Sequence, residues 1–292
     1  MSEIYRSEAG ARLLRESYLA ALEHWPVDHE RLRVPTPEGE TSVIVCGPAT
    51  APPLVLLHGS GSNSTEWMSR VADLARHFRV HSVDLIGEPG LSAPSRPPLA
   101  SGRYPEWVAA VLDFLGLERV RLMGMSLGGW VALGFATRWP GRVERLALVC
   151  PVGVGRQKKG FLPKAILLNL LGSAGQRRSV ALALGPALST LPPATAEMVV
   201  DQVLLVTRNF RHRTEKVPVF GDDALRRLTM PVHVIAGQCD VMLDSRETQR
   251  RIEAAVPHAT VRLLPDVGHF VPFQATEELE FLTGTGREAR RA

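Results

Sequence analysis

Ser126 lies in Gly124-Met125-Ser126-Leu127-Gly128, followed by Gly129. The segment falls where an apolar strand pattern, VRLMGM, gives way to an amphipathic helical one. A serine on a sharp strand-to-helix turn projects its Oγ away from the sheet, and glycines beside it relieve the crowding of such a turn. The free amides at the start of the helix then favour negative charge next to the hydroxyl. This is the setting of a nucleophile that attacks a carbonyl carbon. A serine hydroxyl is weak at neutral pH and requires a base within hydrogen-bond reach.

Nine histidines could supply that base. His269, in DVGHF, follows the last strand pattern and opens a loop before the final helix. Catalytic groups in open α/β sheets gather at the carboxyl ends of strands, which makes His269 the candidate base. His58 directly follows a buried strand and is expected to brace its loop by hydrogen bonds. His233, inside a strand pattern, reads as a core or edge residue. The other six, among them His81 and His212, lie in no motif and suit surface or supporting roles.

An acid must fix the tautomer of the base and stabilise its protonated form. Asp240, just past the strand pattern HVIAG, leads. Asp244 is expected to cap the following helix, and Asp266 to brace the histidine loop. The alternative site after the sixth strand reads Cys150-Pro151-Val152 and offers no carboxylate. Acyl transfer also needs donors for the developing oxyanion. The Leu127 amide is one candidate, and the Ser60 amide in the small-residue run His58-Gly59-Ser60-Gly61-Ser62 is the other.

The elements that would carry these residues follow from hydrophobic period and turn signals. Residues 8–25 read as an amphipathic helix with Leu14, Tyr18, Leu22 and Trp25 on one stripe. Short strands are expected at 30–35 and 41–46, around a Pro35–Gly39 turn. Strand and helix patterns then alternate: strands at 53–59, 80–85, 120–125 and 145–150, helices at 66–77, 104–115 and 127–138. The rhythm resumes with strand 230–237, helix 246–255, strand 260–265 and helix 276–282. This is the alternation of a mostly parallel, doubly wound α/β sheet. Residues 151–221 break it with helical stretches and no buried strand pattern. The expected organisation is a core of 1–150 and 222–283, a helical cap at 151–221, and a frayed tail at 284–292.

Composition narrows the partners. The 292 residues are 45% hydrophobic and 22% charged, ordinary for a soluble globular chain. The N-terminal segment lacks the apolar core of a signal peptide, and no stretch is apolar enough for a spanning helix. Three cysteines without metal-ligand spacing read as free thiols of a cytoplasmic protein. The net charge is +4, and residues 156–216 carry ten Lys/Arg against three acids. That stretch lacks interleaved aromatics and any recognition-helix pattern, so it reads as a solvated surface without nucleic acid as a partner. Apolar stretches at 165–171 and 198–206 favour a small-molecule substrate with an apolar acyl or alcohol group. Nothing in the sequence implies a cofactor or a metal, and nothing fixes an oligomeric state.

The landmarks LVLLHGSG, VDLIGEPGLS, GMSLGGW, IAGQCD and DVGHF, in this order, resemble those of the α/β-hydrolase superfamily over essentially the whole chain. STEWMSRVADL followed by VDLIGEPGLS resembles small bacterial carboxylesterases. The resemblance implies an α/β-hydrolase fold with a helical cap after the sixth strand, and hydrolysis of a carboxylic ester through an acyl-serine. The same triad could serve thioester, lactone or C–C bond cleavage or a biosynthetic acyl transfer. A non-catalytic binding protein would be expected to carry a damaged triad. The chain departs from the family after the fourth strand. There D-x-x-G-x-G-x-S is the commoner pattern, and this chain reads DLIGEPGLS, one residue longer, with Glu88-Pro89 inserted where the pattern has a single residue.

Overall fold

The computed structural model describes residues 4–158 and 160–285. Helix α1 (Glu8–Leu22) starts at Ser7, whose side chain accepts the Gly10 amide, and buries Leu14, Tyr18 and Leu22 on one stripe. Strands β1 (His29–Val34) and β2 (Thr41–Cys46) form an antiparallel hairpin. β3 (Pro53–Leu57), α2 (Met68–Leu74), β4 (Arg79–Val83), α3 (Arg103–Phe114), β5 (Val120–Met125), α4 (Leu127–Arg138) and β6 (Val143–Val149) follow. After an intervening helical segment come α8 (Asp222–Leu225), β7 (Val232–Gly237), α9 (Ser245–Ala255), β8 (Thr260–Leu264) and α10 (Ala275–Thr283).

The eight strands form one sheet in the order β1-β2-β4-β3-β5-β6-β7-β8. From β4 to β8 all pairings are parallel, while β2 runs antiparallel to both of its neighbours. Central strands are buried along nearly their full length, as in VHVIAG, because helices cover both faces of a parallel sheet. The edge strand β8 instead alternates between exposed and partly covered positions. Helix α4 is buried almost all round, from Leu127 to Phe135, which seats the serine turn at the centre of the molecule.

Between β6 and β7 lie three longer helices, α5 (Leu162–Asn169), α6 (Gly172–Leu184) and α7 (Pro193–Asn209). Val180, Leu188, Val200 and Leu204 form their own small core. The apolar 165–171 stretch is turned mostly outward: Ile166 is 63% exposed and Leu170 77% exposed. The small core of this segment is built from α6, α7 and the turn between them, and most of the apolar 165–171 side chains lie outside it. The expected tail falls outside the described residues from 286 onward. Among the described residues no helix is long and apolar enough to cross a membrane.

Candidate active site

Ser126 links β5 to α4 with φ 51° and ψ −110°. A non-glycine residue at positive φ costs on the order of 1–3 kcal/mol and persists only where its surroundings enforce it. The surroundings here are β5 and α4 in close approach. A Cβ at Gly124 would lie 2.5 Å from the Gly128 carbonyl oxygen, and one at Gly128 would lie 2.1 Å from the Leu57 carbonyl oxygen. Both positions therefore require glycine. The Ser126 amide donates to Val149 at 2.9 Å, tying the turn to the end of β6. The serine side chain makes no cap bond to the helix. Its Oγ is left to face His269 Nε2 at 3.0 Å.

His269 sits in the loop between β8 and α10, and three hydrogen bonds, two from backbone amides and one from a side chain, fix that loop. Cys239 N–H donates to the Val267 carbonyl at 2.8 Å, Phe270 N–H to Leu184 at 2.9 Å, and the buried Arg70 to Val271 at 2.9 Å. The Leu184 contact brings the end of α6 against the histidine loop. His269 Nδ1 lies 2.7 Å from Asp240 Oδ2. The other Asp240 oxygen accepts the amides of Met242 at 2.7 Å and Leu243 at 3.0 Å. Burial by itself pushes the Asp240 carboxyl up. The bonds from His269, Met242 and Leu243 outweigh it and hold the group below the ordinary carboxylate value. An ionised Asp240 leaves His269 Nδ1 as donor and Nε2 as acceptor, the tautomer that can take the Ser126 proton.

The competing acids lie elsewhere. Asp244 caps α9 by accepting the Glu247 amide at 3.0 Å. Asp266 is exposed, at φ 57°, away from the acid position. His58 is fully buried between two loops: Leu85 N–H donates to its Nε2, and its Nδ1 donates to the Gly59 carbonyl, both at 2.8 Å. His233 is buried in β7 with Nδ1 2.7 Å from Thr260 Oγ1. His81 differs from the surface or supporting role read from the sequence, being buried within β4 because that strand is covered on both faces.

The Leu127 amide is the first of α4 and has no acceptor among the described residues. The loop carrying Ser60 passes close to Ser126, since a Cβ on Gly59 would come within 3.5 Å of Ser126 Cβ. The Ser60 amide likewise has no acceptor among the described residues. Both amides are thus free, one directly after the serine and one in the loop whose Gly59 approaches it.

Cys150 is the neighbour that sequence reasoning missed. It directly follows β6, at φ 43°. Its sulfur, an Asp240 oxygen and a His269 nitrogen lie within 4.8 Å of one another. Burial first, and then Asp240, push its thiol up to about 12. A protonated thiol is a poor metal ligand, and Asp240 already accepts three hydrogen bonds, so the trio suits hydrogen bonding better than a cation. The position after the sixth strand was the one signal available for it.

The family model described as alpha/beta hydrolase family matches residues 54–280. The uncharacterized carboxylesterase nap of Bacillus subtilis is 30% identical, over 89% of this chain and 87% of its own length. Carboxylesterase YbfK of the same organism is 30% identical over 95% of each chain. The crystal structure of carboxylesterase CesB (YbfK) from Bacillus subtilis superposes with a TM-score of 0.81 at 27% identity, covering 94% of this chain and 99% of the other.

Proposed function

Given that this chain belongs to the alpha/beta hydrolase family, we propose that it is a carboxylesterase working through an acyl-Ser126 intermediate. The observation that carries the reading is the relay Ser126 Oγ to His269 Nε2 at 3.0 Å and His269 Nδ1 to Asp240 at 2.7 Å. The names of the two Bacillus relatives and the near-complete overlap with them support the ester as the bond cleaved.

In this mechanism Ser126 Oγ attacks the ester carbonyl carbon and its proton passes to His269 Nε2. The carbonyl oxygen becomes an alkoxide held by the Leu127 and Ser60 amides. The tetrahedral species collapses, the alcohol departs with the proton from His269, and acyl-Ser126 remains. Water then attacks the acyl carbon while His269 takes its proton. The second collapse releases the carboxylic acid and returns the proton to Ser126. Asp240 stays ionised throughout, stabilising the imidazolium in both halves. No step requires a metal or a cofactor.

The segment 151–221 serves as a cap whose α6 end borders the histidine loop. Three unpaired cysteines, two of them buried, are in keeping with a cytoplasmic protein. A fluorophosphonate probe tests the reading, with peptide mapping of the adduct to Ser126. Absence of an adduct, or one on Ser60, refutes it. A panel of p-nitrophenyl esters beside a thioester and a lactone then identifies the bond type.

A further inference from the structure

The loop between β4 and α3 is anchored by Asp84, fully buried and accepting four hydrogen bonds. Tyr18 Oη at 2.9 Å, Ser64 N at 3.0 Å and Ser64 Oγ at 2.7 Å share one oxygen, and Leu91 N donates to the other at 2.8 Å. With its ends fixed, the inserted Glu88 turns inward and is only 1% exposed. Its Oε2 accepts the Gly61 amide at 2.6 Å and lies 3.4 Å from Ser60 Oγ. On the near side of the same turn, Glu66 accepts the Gly59 amide at 2.6 Å. His58 Nδ1 holds the Gly59 carbonyl at 2.8 Å.

These contacts act on successive peptide planes. The Ser60 N–H belongs to the plane that contains the Gly59 carbonyl, and in a trans peptide it points the opposite way. His58 grips that carbonyl, while Glu66 and Glu88 grip the planes before and after it. The restraint matters because both flanking residues are glycines, which rotate between conformations at little cost. Gly61 itself sits at φ 69°. With the neighbouring amides engaged, the unpaired amide left between them is that of Ser60.

We propose that Glu88 is a positioning residue for acyl transfer, holding the Gly61 amide so that the Ser60 amide stays aimed at the developing oxyanion. The inference rests on the carboxylesterase reading above. A carboxylate here has an electrostatic cost, because it lies near an oxygen that becomes negative. Burial pushes the Glu88 carboxyl up, and the net shift stays upward although the Gly61 bond, His58, Arg96 and Arg213 pull the other way. Arg96 comes from the same loop, and Arg213 from the chain leaving α7, where it also bonds Tyr104. Among the described residues neither arginine forms an ion pair with Glu88. They offset only part of that cost, and they leave Oε2 to the Gly61 amide.

The test compares Glu88→Gln, which keeps an acceptor oxygen, with Glu88→Met, which fills similar space without one. Kinetics on p-nitrophenyl butyrate and inhibition by a trifluoromethyl ketone, which forms a tetrahedral adduct on serine, are measured for each. Removing an oxyanion donor costs about 10²–10³ in kcat, so a misaimed donor in the Met variant should cost roughly 10–100-fold. KM should stay nearly unchanged and the ketone should weaken by the same factor as kcat/KM. The Gln variant should stay within about threefold of wild type, since its oxygen still accepts the amide. The proposal is overturned by a Met variant with undiminished kcat, by a loss confined to KM, or by a Gln variant as slow as Met. If the Met variant does not fold, the Gln variant decides: a large loss of kcat overturns the proposal, and a retained kcat with unchanged ketone affinity supports it. A wild-type chain that takes no fluorophosphonate at Ser126 sinks the hydrolase reading and this role with it. An active wild type with an unimpaired Met variant sinks the role of Glu88 alone.

Discussion

Replacing Asp240 by asparagine removes one charge and changes almost no volume, so its effect can be worked from the hydrogen bonds. Asp240 Oδ1 accepts two backbone amides, Met242 at 2.7 Å and Leu243 at 3.0 Å. Asparagine has one oxygen, and that oxygen must stay on those amides, because turning its NH2 toward them would leave two donors unpaired at about 1–3 kcal/mol each. The NH2 then faces His269 Nδ1, which must become an acceptor. The ring proton moves to Nε2 and points at Ser126 Oγ, 3.0 Å away. His269 in that tautomer cannot take the serine proton. The expected loss in kcat is on the order of 10⁴-fold, equivalent to about 5.5 kcal/mol of transition-state stabilisation.

The same substitution exchanges a charge-assisted hydrogen bond for a neutral one, so the melting temperature should fall by only a few degrees. The assay is kcat on p-nitrophenyl butyrate near neutral pH, with a thermal melt of each variant. Asp266→Asn is the control. Asp266 is exposed and outside the relay, so activity should be retained. The reasoning fails if Asp240→Asn keeps a tenth of the activity while folded. It fails equally if Asp266→Asn loses more than Asp240→Asn.

Gly128→Ala should abolish cooperative folding or lower the melting temperature sharply, because the new Cβ would meet the Leu57 and His58 carbonyl oxygens at 2.1 and 2.5 Å. A normal melt for that variant would refute the close approach of α4 to β3. Burial lowers the pKa of His81 and of His233 from 6.5 to about 4. Between these values the unfolded chain binds more protons than the folded one, so the stability from keeping both rings neutral is complete above about pH 6.5 and is lost as pH falls toward 4. A melting temperature that stays flat across this window, or a His233→Gln variant with an unchanged slope, would contradict that account. Ile166→Ser with Leu170→Ser should leave the ester chain-length profile untouched, since both side chains face outward. A shifted optimum in the ester panel would place them at the substrate instead.

The alternation of buried strands and amphipathic helices was legible in the sequence because hydrophobic period reports local geometry directly. Strands β2 and β5 and helix α4 fall on the residues expected for them. Ser126 was legible for a related reason: a serine between glycines at a strand-to-helix junction states its backbone requirement in residue types alone. The choice of Asp240 over Asp244 and Asp266 came from its place after a strand. The separation of the three roles, one carboxylate on the histidine, one capping α9 and one exposed, is a matter of direction that residue types do not encode.

Tertiary structure decided what depends on neighbours distant in the chain. The apolar run at 165–171 has the same composition whether it faces a pocket or solvent, and only the packing of α5 to α7 turned it outward. Cys150 and Glu88 stand at positions the sequence marks, after the sixth strand and in the lengthened loop after the fourth, but their residue types state no contact. They approach the site because parallel strands bring the ends of β4 and β6 to one edge of the sheet, beside the serine turn and the histidine loop. Sequence by itself determined the local elements and the candidate residue types of the site, since these follow from backbone sterics and hydrophobic period. The orientation of free amides, buried carboxylates and the helical segment 151–221 was set by the fold, because each requires partners contributed by separate loops that meet only once the sheet has formed.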